Sequence, residues 1–352
     1  MKKSVKNALL TTGAFLAAGA ATVAGTYFTT KVLVKIALDR KEPDIVKKAG
    51  DAIAGKAADA AFMEEIETAA EKLEKEPHEL EQIISFDGTE LVGHWFPARN
   101  AKRTVIAMHG WRSTWARDFG TVADFWAKNN CNVLYAEQRA QNNSGGEYMG
   151  FGLIERFDCL EWVKWATAKC GSELPIYLCG VSMGATTVLM AAGLELPENV
   201  HGIMADCGFT SPHAIWKHVA NNNLHLPYWL RGVFADEMFR QKLNMGTKDY
   251  STVEALKNNY IPVMLIHGAN DHFVPVHMTY ENYLACAGEK RLLIVPGADH
   301  GMSHYLEPEK YEAEAKSFGK TSTARPRRKS HQKPNNNKSR IIADNSFSMY
   351  FI

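Results

Sequence analysis

The sequence predicts an α/β fold with a mostly parallel central sheet and helices on both faces, and two features of its pattern carry that expectation. Short apolar, β-rich runs alternate with longer amphipathic stretches from about residue 80 onward, which is the order that strands and crossover helices of a parallel sheet require. An Asp87-Gly88 pair joins the first two runs, Gln82–Phe86 and Glu90–Phe96, and predicts an antiparallel hairpin, because Asp-Gly suits the positive-φ positions of a two-residue turn. Further strands are expected at Thr104–Met108, Asn132–Glu137, Ile176–Cys179, Gly202–Asp206, Val263–Ile266 and Arg291–Val295. Helices are expected between them at Phe119–Asn129, Leu153–Ala168 and Ala185–Leu194.

The 352 residues, 46% hydrophobic and 22% charged, supply enough apolar side chains for a large core and exclude a disordered or collagen-like chain. A net charge of +1 gives no whole-chain signature of a nucleic-acid binder. It conceals a basic tail: residues 320–352 hold eight Lys or Arg against one acid, Asp344, so +7 lies there and −6 in the rest. That tail is expected to be disordered and solvated, with attraction to anionic lipid as an option. The six cysteines, Cys131, Cys159, Cys170, Cys179, Cys207 and Cys286, lack any CxxC spacing and read as thiols.

Behind Lys2, Lys3 and Lys6, residues Ala8 to Thr30 run 23 positions without a charge, long enough for a bilayer core. Residues 1–40 are therefore expected to form an N-terminal membrane anchor or signal segment. A retained anchor is favoured over cleavage near Ala18-Gly19-Ala20, because the run exceeds an ordinary signal h-region. Basic residues on both flanks leave its orientation open. An extracytoplasmic body is the expectation, with a cytoplasm-facing or secreted body as alternatives. Residues 41–79, with Ile53, Phe62, Ile66 and Leu73 at helical spacing, read as a helical stalk, and 80–319 as the catalytic domain.

In a parallel α/β sheet, functional side chains gather at the carboxyl ends of the strands. After Ile176–Cys179 comes Gly180-Val181-Ser182-Met183-Gly184, a Gly-x-Ser-x-Gly between strand and helix, which describes a nucleophile elbow with Ser182 lifted above the sheet. A serine hydroxyl needs a base, and the base an orienting acid. Asp271 and His300 follow the next two expected strands after Asp206, in the order Ser, Asp, His. Asp206, ending its own strand, is the competing acid; Asp299 adjoins His300 too closely in sequence to orient it easily. Thr104–Met108 leads into His109-Gly110-Trp111, so the backbone N–H groups of Trp111 and Met183 are the candidate oxyanion donors. His109 is expected to brace that loop rather than act as base.

On these motifs the sequence resembles the α/β-hydrolase family, within it the bacterial branch of esterase-like, often membrane-anchored serine hydrolases. The resemblance spans roughly Glu81 to Tyr311 and is carried by His109-Gly110-Trp111, Glu137-Gln138-Arg139-Ala140, the Ser182 pentapeptide, Asp206-Cys207-Gly208-Phe209-Thr210-Ser211, His267-Gly268-Ala269-Asn270-Asp271 with Val274-Pro275, and Gly297-Ala298-Asp299-His300-Gly301. It implies an α/β-hydrolase fold and a triad at Ser182, Asp271 and His300. Gln141-Asn142-Asn143-Ser144 departs from the family's His-Gly-x-Ser, which bears on a loop and not on the triad.

Residues from about 207 to 260, rich in aromatics such as Trp216, Trp229, Phe234 and Phe239, read as a small helical cap suited to an apolar group. His300 and His304 lack the Glu of a zincin, His213, His218 and His225 lack ligand spacing, and no Walker A or GxGxxG is present, so no metal or cofactor is expected. The reading is a serine hydrolase acting on an ester or other acyl bond of a small-molecule or acyl-bearing substrate. Peptidase, amidase and acyltransferase activities share the chemistry; a membrane-tethered binding protein is the non-enzyme alternative.

Overall fold

A computed structural model of the chain describes residues 3–41, with side chains from residue 19 onward, and residues 60–323. Strands β1 (Glu79–Ile84), β2 (Glu90–Phe96), β3 (Arg103–Met108), β4 (Cys131–Ala136), β5 (Ile176–Val181), β6 (Val200–Asp206), β7 (Val263–Gly268) and β8 (Lys290–Val295) form one sheet in the order β1-β2-β4-β3-β5-β6-β7-β8. β2 is antiparallel to both β1 and β4; every later pairing is parallel.

The helices are α1 (Lys3–Leu38), α2 (Ala60–Lys75), α3 (Trp115–Lys128), α4 (Glu155–Cys170), α5 (Met183–Ala191), α6 (Pro212–His218), α7 (Tyr228–Leu243), α8 (Thr252–Lys257), α9 (His277–Ala285), α10 (Ser303–Leu306) and α11 (Pro308–Thr323). Strand side chains alternate between two cores, as a pleat of period two requires. Ile106, Leu134 and Leu178 face a core completed by Trp162 of α4, Val188 of α5 and Tyr283 of α9. Val105, Val133 and Tyr177 face the other, completed by Phe119 and Trp126 of α3 and Phe318 of α11. All six cysteines are free thiols, five of them buried.

The hairpin turn is longer than expected. Ser85 N–H donates to Thr89 O and Gly88 N–H to Ser85 O, with Gly88 at φ 84°, so three residues form the loop. Asp87 Oδ1 caps the turn by accepting from Thr89 N–H at 3.1 Å, while its Oδ2 accepts from Arg139 Nη1 at 2.8 Å.

Parts of the expected anchor and of the expected stalk contact the catalytic body. Among the described residues no helix is long and apolar enough to cross a membrane. The last turns of α1 dock on the catalytic body, with Val34 and Leu38 buried beside Phe239 and Met183. Of the stalk, residues 42–59 lie outside the described residues, as does the tail from 324 onward. Its remaining part, α2, lies against α3, held by Leu73 in the core and by ion pairs Arg117–Glu67 and Lys72–Asp124 at 2.6 and 2.7 Å.

Gly120 lets α2 and α3 approach: a Cβ there would stand 2.7 Å from the Ala69 carbonyl carbon. In an open helix Gly→Ala stabilises by about 1 kcal/mol. Gly120→Ala should instead destabilise by about 1–3 kcal/mol through overpacking, read as a lowered Tm or as α2 becoming open to limited proteolysis.

Candidate active site

The pentapeptide 180–184 folds as a strand-to-helix turn with Ser182 between β5 and α5 at φ 55° and ψ −117°. Packing forces this strained conformation. A Cβ on Gly180 would lie 2.3 Å from Gly184, and one on Gly184 only 1.8 Å from Met108 O, so both flanking positions need glycine. Ser182 N–H donates to Asp206 O at 2.9 Å, and Ser182 O accepts from Thr186 N–H at 3.0 Å, fixing the turn at both ends.

The side chain of His300 spans two partners. Its Nε2 lies 2.9 Å from Ser182 Oγ, and its Nδ1 lies 2.7 Å from Asp271 Oδ2. Asp271 is fully buried but not bare: Oδ1 accepts from the N–H groups of Phe273 and Val274 at 2.9 and 2.7 Å, and Oδ2 also accepts from His267 Nε2 at 3.0 Å. Burial alone would raise its pKa, but His300 and His267 outweigh burial and hold the carboxyl well below the usual carboxylate range. His267 is oriented in turn, since its Nε2 also faces Val274 O at 2.8 Å and its Nδ1 meets Thr279 Oγ1 at 2.6 Å. A carbonyl only accepts, so Nε2 carries the proton and Thr279 donates to Nδ1.

Burial pushes the His300 pKa down, yet the adjacent Asp271 charge more than offsets this and holds it well above the ordinary value. The Cys207 thiol also packs against this ring. Burial pushes that thiol up to about 11, so it is neutral near pH 7 and Asp271 supplies the field. Donor atoms of Cys207, Asp271 and His300 lie within 4.8 Å of one another, the one group of this kind among the described residues. Asp271 and His300 direct these atoms at each other, at Ser182 and at His267.

The rival residues have other partners. Asp206 accepts from Ser303 Oγ at 3.0 Å, and burial pushes its carboxyl up to about 6. Asp299 accepts from the N–H groups of His300 and His272 at 2.8 and 3.0 Å, bracing the loop rather than the imidazole. His109 is buried between Gln138 N–H, which donates to its Nε2 at 3.0 Å, and Gly110 O, 2.8 Å from its Nδ1. Burial lowers its pKa, so it stays neutral and braces the loop.

That loop runs beside the serine, where a Cβ on Gly110 would stand 3.3 Å from Ser182 Cβ. Met183 opens α5, whose first N–H groups have no intrahelical acceptor. Trp111 and Ser182 line one apolar cavity of about 80 Å³ with Phe209, Ile215 and Trp216. The cap thus contributes Ile215 and Trp216 to the site, whereas its Trp229 is 78% exposed and faces away from the core.

Residues 117–323 match the model of the prolyl oligopeptidase family, more than half of the chain. The chain belongs to that family. It is 25% identical over 236 residues to the uncharacterised protein YqkD of Bacillus subtilis, covering 67% of this chain and 77% of that one. YfhR of Escherichia coli K12 is likewise 25% identical, over 62% of this chain and 72% of its own length. The Pyrococcus furiosus esterase Pf2001 superposes with a TM-score of 0.56 at 24% identity, over 70% of this chain and 91% of that one. Est1E of Butyrivibrio proteoclasticus, solved with ferulic acid bound, superposes at 0.54 and 19% identity, over 69% and 99%. The fold is that of an α/β-hydrolase, and the protein is a serine hydrolase. The family match begins at residue 117 and so speaks for the catalytic body alone.

Several contributors to this family member's site were not evident in the sequence. Asp118 Oδ2 accepts from Gly110 N–H at 2.6 Å and its Oδ1 from Ser113 Oγ at 2.5 Å, tying the loop to the first turn of α3. Gln141 Oε1 accepts from Arg112 N–H at 2.6 Å, which gives the departing Gln141-Asn142-Asn143-Ser144 segment a bracing role. Position in a loop flagged Gln141, and His267 stood in a quoted motif without a role assigned to it; nothing local flagged Asp118. The electrostatics make a direct prediction. Asp271→Asn removes the charge that favours imidazolium and leaves burial unopposed, so the His300 ring should titrate at lower pH than in the wild type, followed by NMR of its ring carbons.

Proposed function

We propose that the protein hydrolyses carboxylic esters through an acyl-serine intermediate. The observation that carries the reading is the hydrogen-bonded row Ser182–His300–Asp271, at 2.9 and 2.7 Å, opening on an apolar cavity. Ser182 Oγ attacks the substrate carbonyl while His300 Nε2 takes its proton. Asp271 holds Nδ1–H and steadies the imidazolium, and the N–H groups of Trp111 and Met183 receive the oxyanion. His300 then returns the proton to the leaving alcohol, and a water activated by the same nitrogen cleaves the acyl-serine ester.

Two supports favour an ester over a peptide. The cavity walls at Phe151, Phe209, Ile215 and Trp216 offer apolar surface and no charged side chain to orient peptide groups. The Pyrococcus furiosus protein Pf2001, of the same fold, is an esterase. The family's own description favours a second reading, hydrolysis of peptide bonds on the same three residues.

A panel of p-nitrophenyl esters beside prolyl and alanyl p-nitroanilides separates the two: turnover of the anilides without the esters would move the assignment to a peptidase. Ser182→Ala should lower kcat by about 10⁴-fold or more, the scale on which triad serines act. Asp271→Asn should cost about 10⁴-fold by leaving the imidazole in the wrong tautomer. Asp206→Asn should cost far less, and the reverse ranking would make Asp206 the acid. Since Asp271 raises the His300 pKa, kcat/KM should rise with pH through that elevated pKa, because the base works only when neutral.

A further inference from the structure

The C-terminal turns of α1 are fastened to the loop that carries the oxyanion donor. Arg112 Nη2 donates to Ile36 O at 2.6 Å and to Asp39 O at 2.7 Å, while Trp111 Nε1 donates to Ala37 O at 2.9 Å. The last carbonyls of a helix lack intrahelical donors and form the negative end of its dipole, so a guanidinium suits them. Met149 N–H donates to Leu38 O at 2.7 Å, and Lys242 Nζ pairs with Asp39 Oδ1 at 2.9 Å. Two adjacent rows of this helix have different duties. Val34 and Leu38 are buried in the body, whereas Leu33, Ile36 and Ala37 line the cavity that holds Ser182.

Ser182 and Trp111 line the same cavity, so an acyl group joined to Ser182 Oγ, with its oxygen towards the Trp111 N–H, can extend along this apolar wall. Resting on the ester-hydrolase reading, we propose that the last turns of α1 are the acyl-binding wall of the enzyme, that Leu33 and Ala37 set the length of acyl group accepted, and that its substrates are esters of apolar acyl groups.

The test uses the full chain and two probes, ethyl and decyl fluorophosphonates, whose reaction forms a Ser182 Oγ–P bond, expels fluoride and passes the serine proton to His300. The readout is the ratio of decyl to ethyl labelling rates at Ser182. Ala37→Phe fills the wall and should lower that ratio at least tenfold; Leu33→Ala opens it and should raise the ratio threefold or more. Ratios equal to the wild type in both variants overturn the acyl wall while leaving the serine hydrolase intact. No labelling of wild-type Ser182 by either probe would sink the hydrolase reading itself, and the wall with it.

Discussion

Holding a serine at φ 55° and ψ −117° costs about 1–3 kcal/mol of backbone strain, and everything the site does depends on that cost being met by its surroundings. The surroundings are two strands and a helix at van der Waals contact. Met108 ends β3 against Gly184, and Gly180 faces the same glycine from β5, so the turn has no room to relax. The sheet order places β3 and β6 on either side of β5. Those two neighbours then deliver the Gly110–Trp111 loop and the Asp206–Cys207 turn to the same serine. A strained residue is thus the meeting point of three strand ends, and its hydroxyl is aimed before any substrate arrives.

The same logic of prepayment governs charge. Asp271 has no solvent, but four hydrogen bonds reach its two oxygens, so its anion is stabilised by fixed dipoles instead of by water. Because those dipoles do not reorganise, the negative charge stays in place while His300 gains and loses a proton. Asp206, also buried, is met by the hydroxyls of Ser303 and Tyr311, and burial outweighs them and raises its proton affinity.

What could be read from the sequence divides along one physical line. The parallel strands and the Ser182 elbow were legible because each rests on residues within a few positions of one another: a β-rich run, a glycine pair, a polar residue at a strand end. The order Ser182, Asp271, His300 was legible because the sheet architecture converts strand order into position. Contacts made by side chains across the fold were not. Asp87 pairs with the distant Arg139, the loop at Gly110 is tied to Asp118, and the cap's Trp216 and Trp229 look alike in sequence although one lines the cavity and the other is in solvent. Nor was the docking of Val34 and Leu38, just beyond the uncharged run, legible, because it rests on the distant Arg112 and Lys242.

The fastening of α1 has a consequence for the order of synthesis. The helix is made before every element it docks onto: Arg112 follows Ile36 by 76 residues, and Lys242 follows Asp39 by 203. Closing the longer loop rather than the shorter costs under about 1 kcal/mol in chain entropy, so the finished protein scarcely registers the separation. The growing chain does register it. Until the cap has been translated, the apolar row at Val34 and Leu38 has nowhere to go, and the usual rule that earlier segments fold first is inverted at this end. A helix made early is then the last wall of the Ser182 cavity to be set, after the cap has left the ribosome.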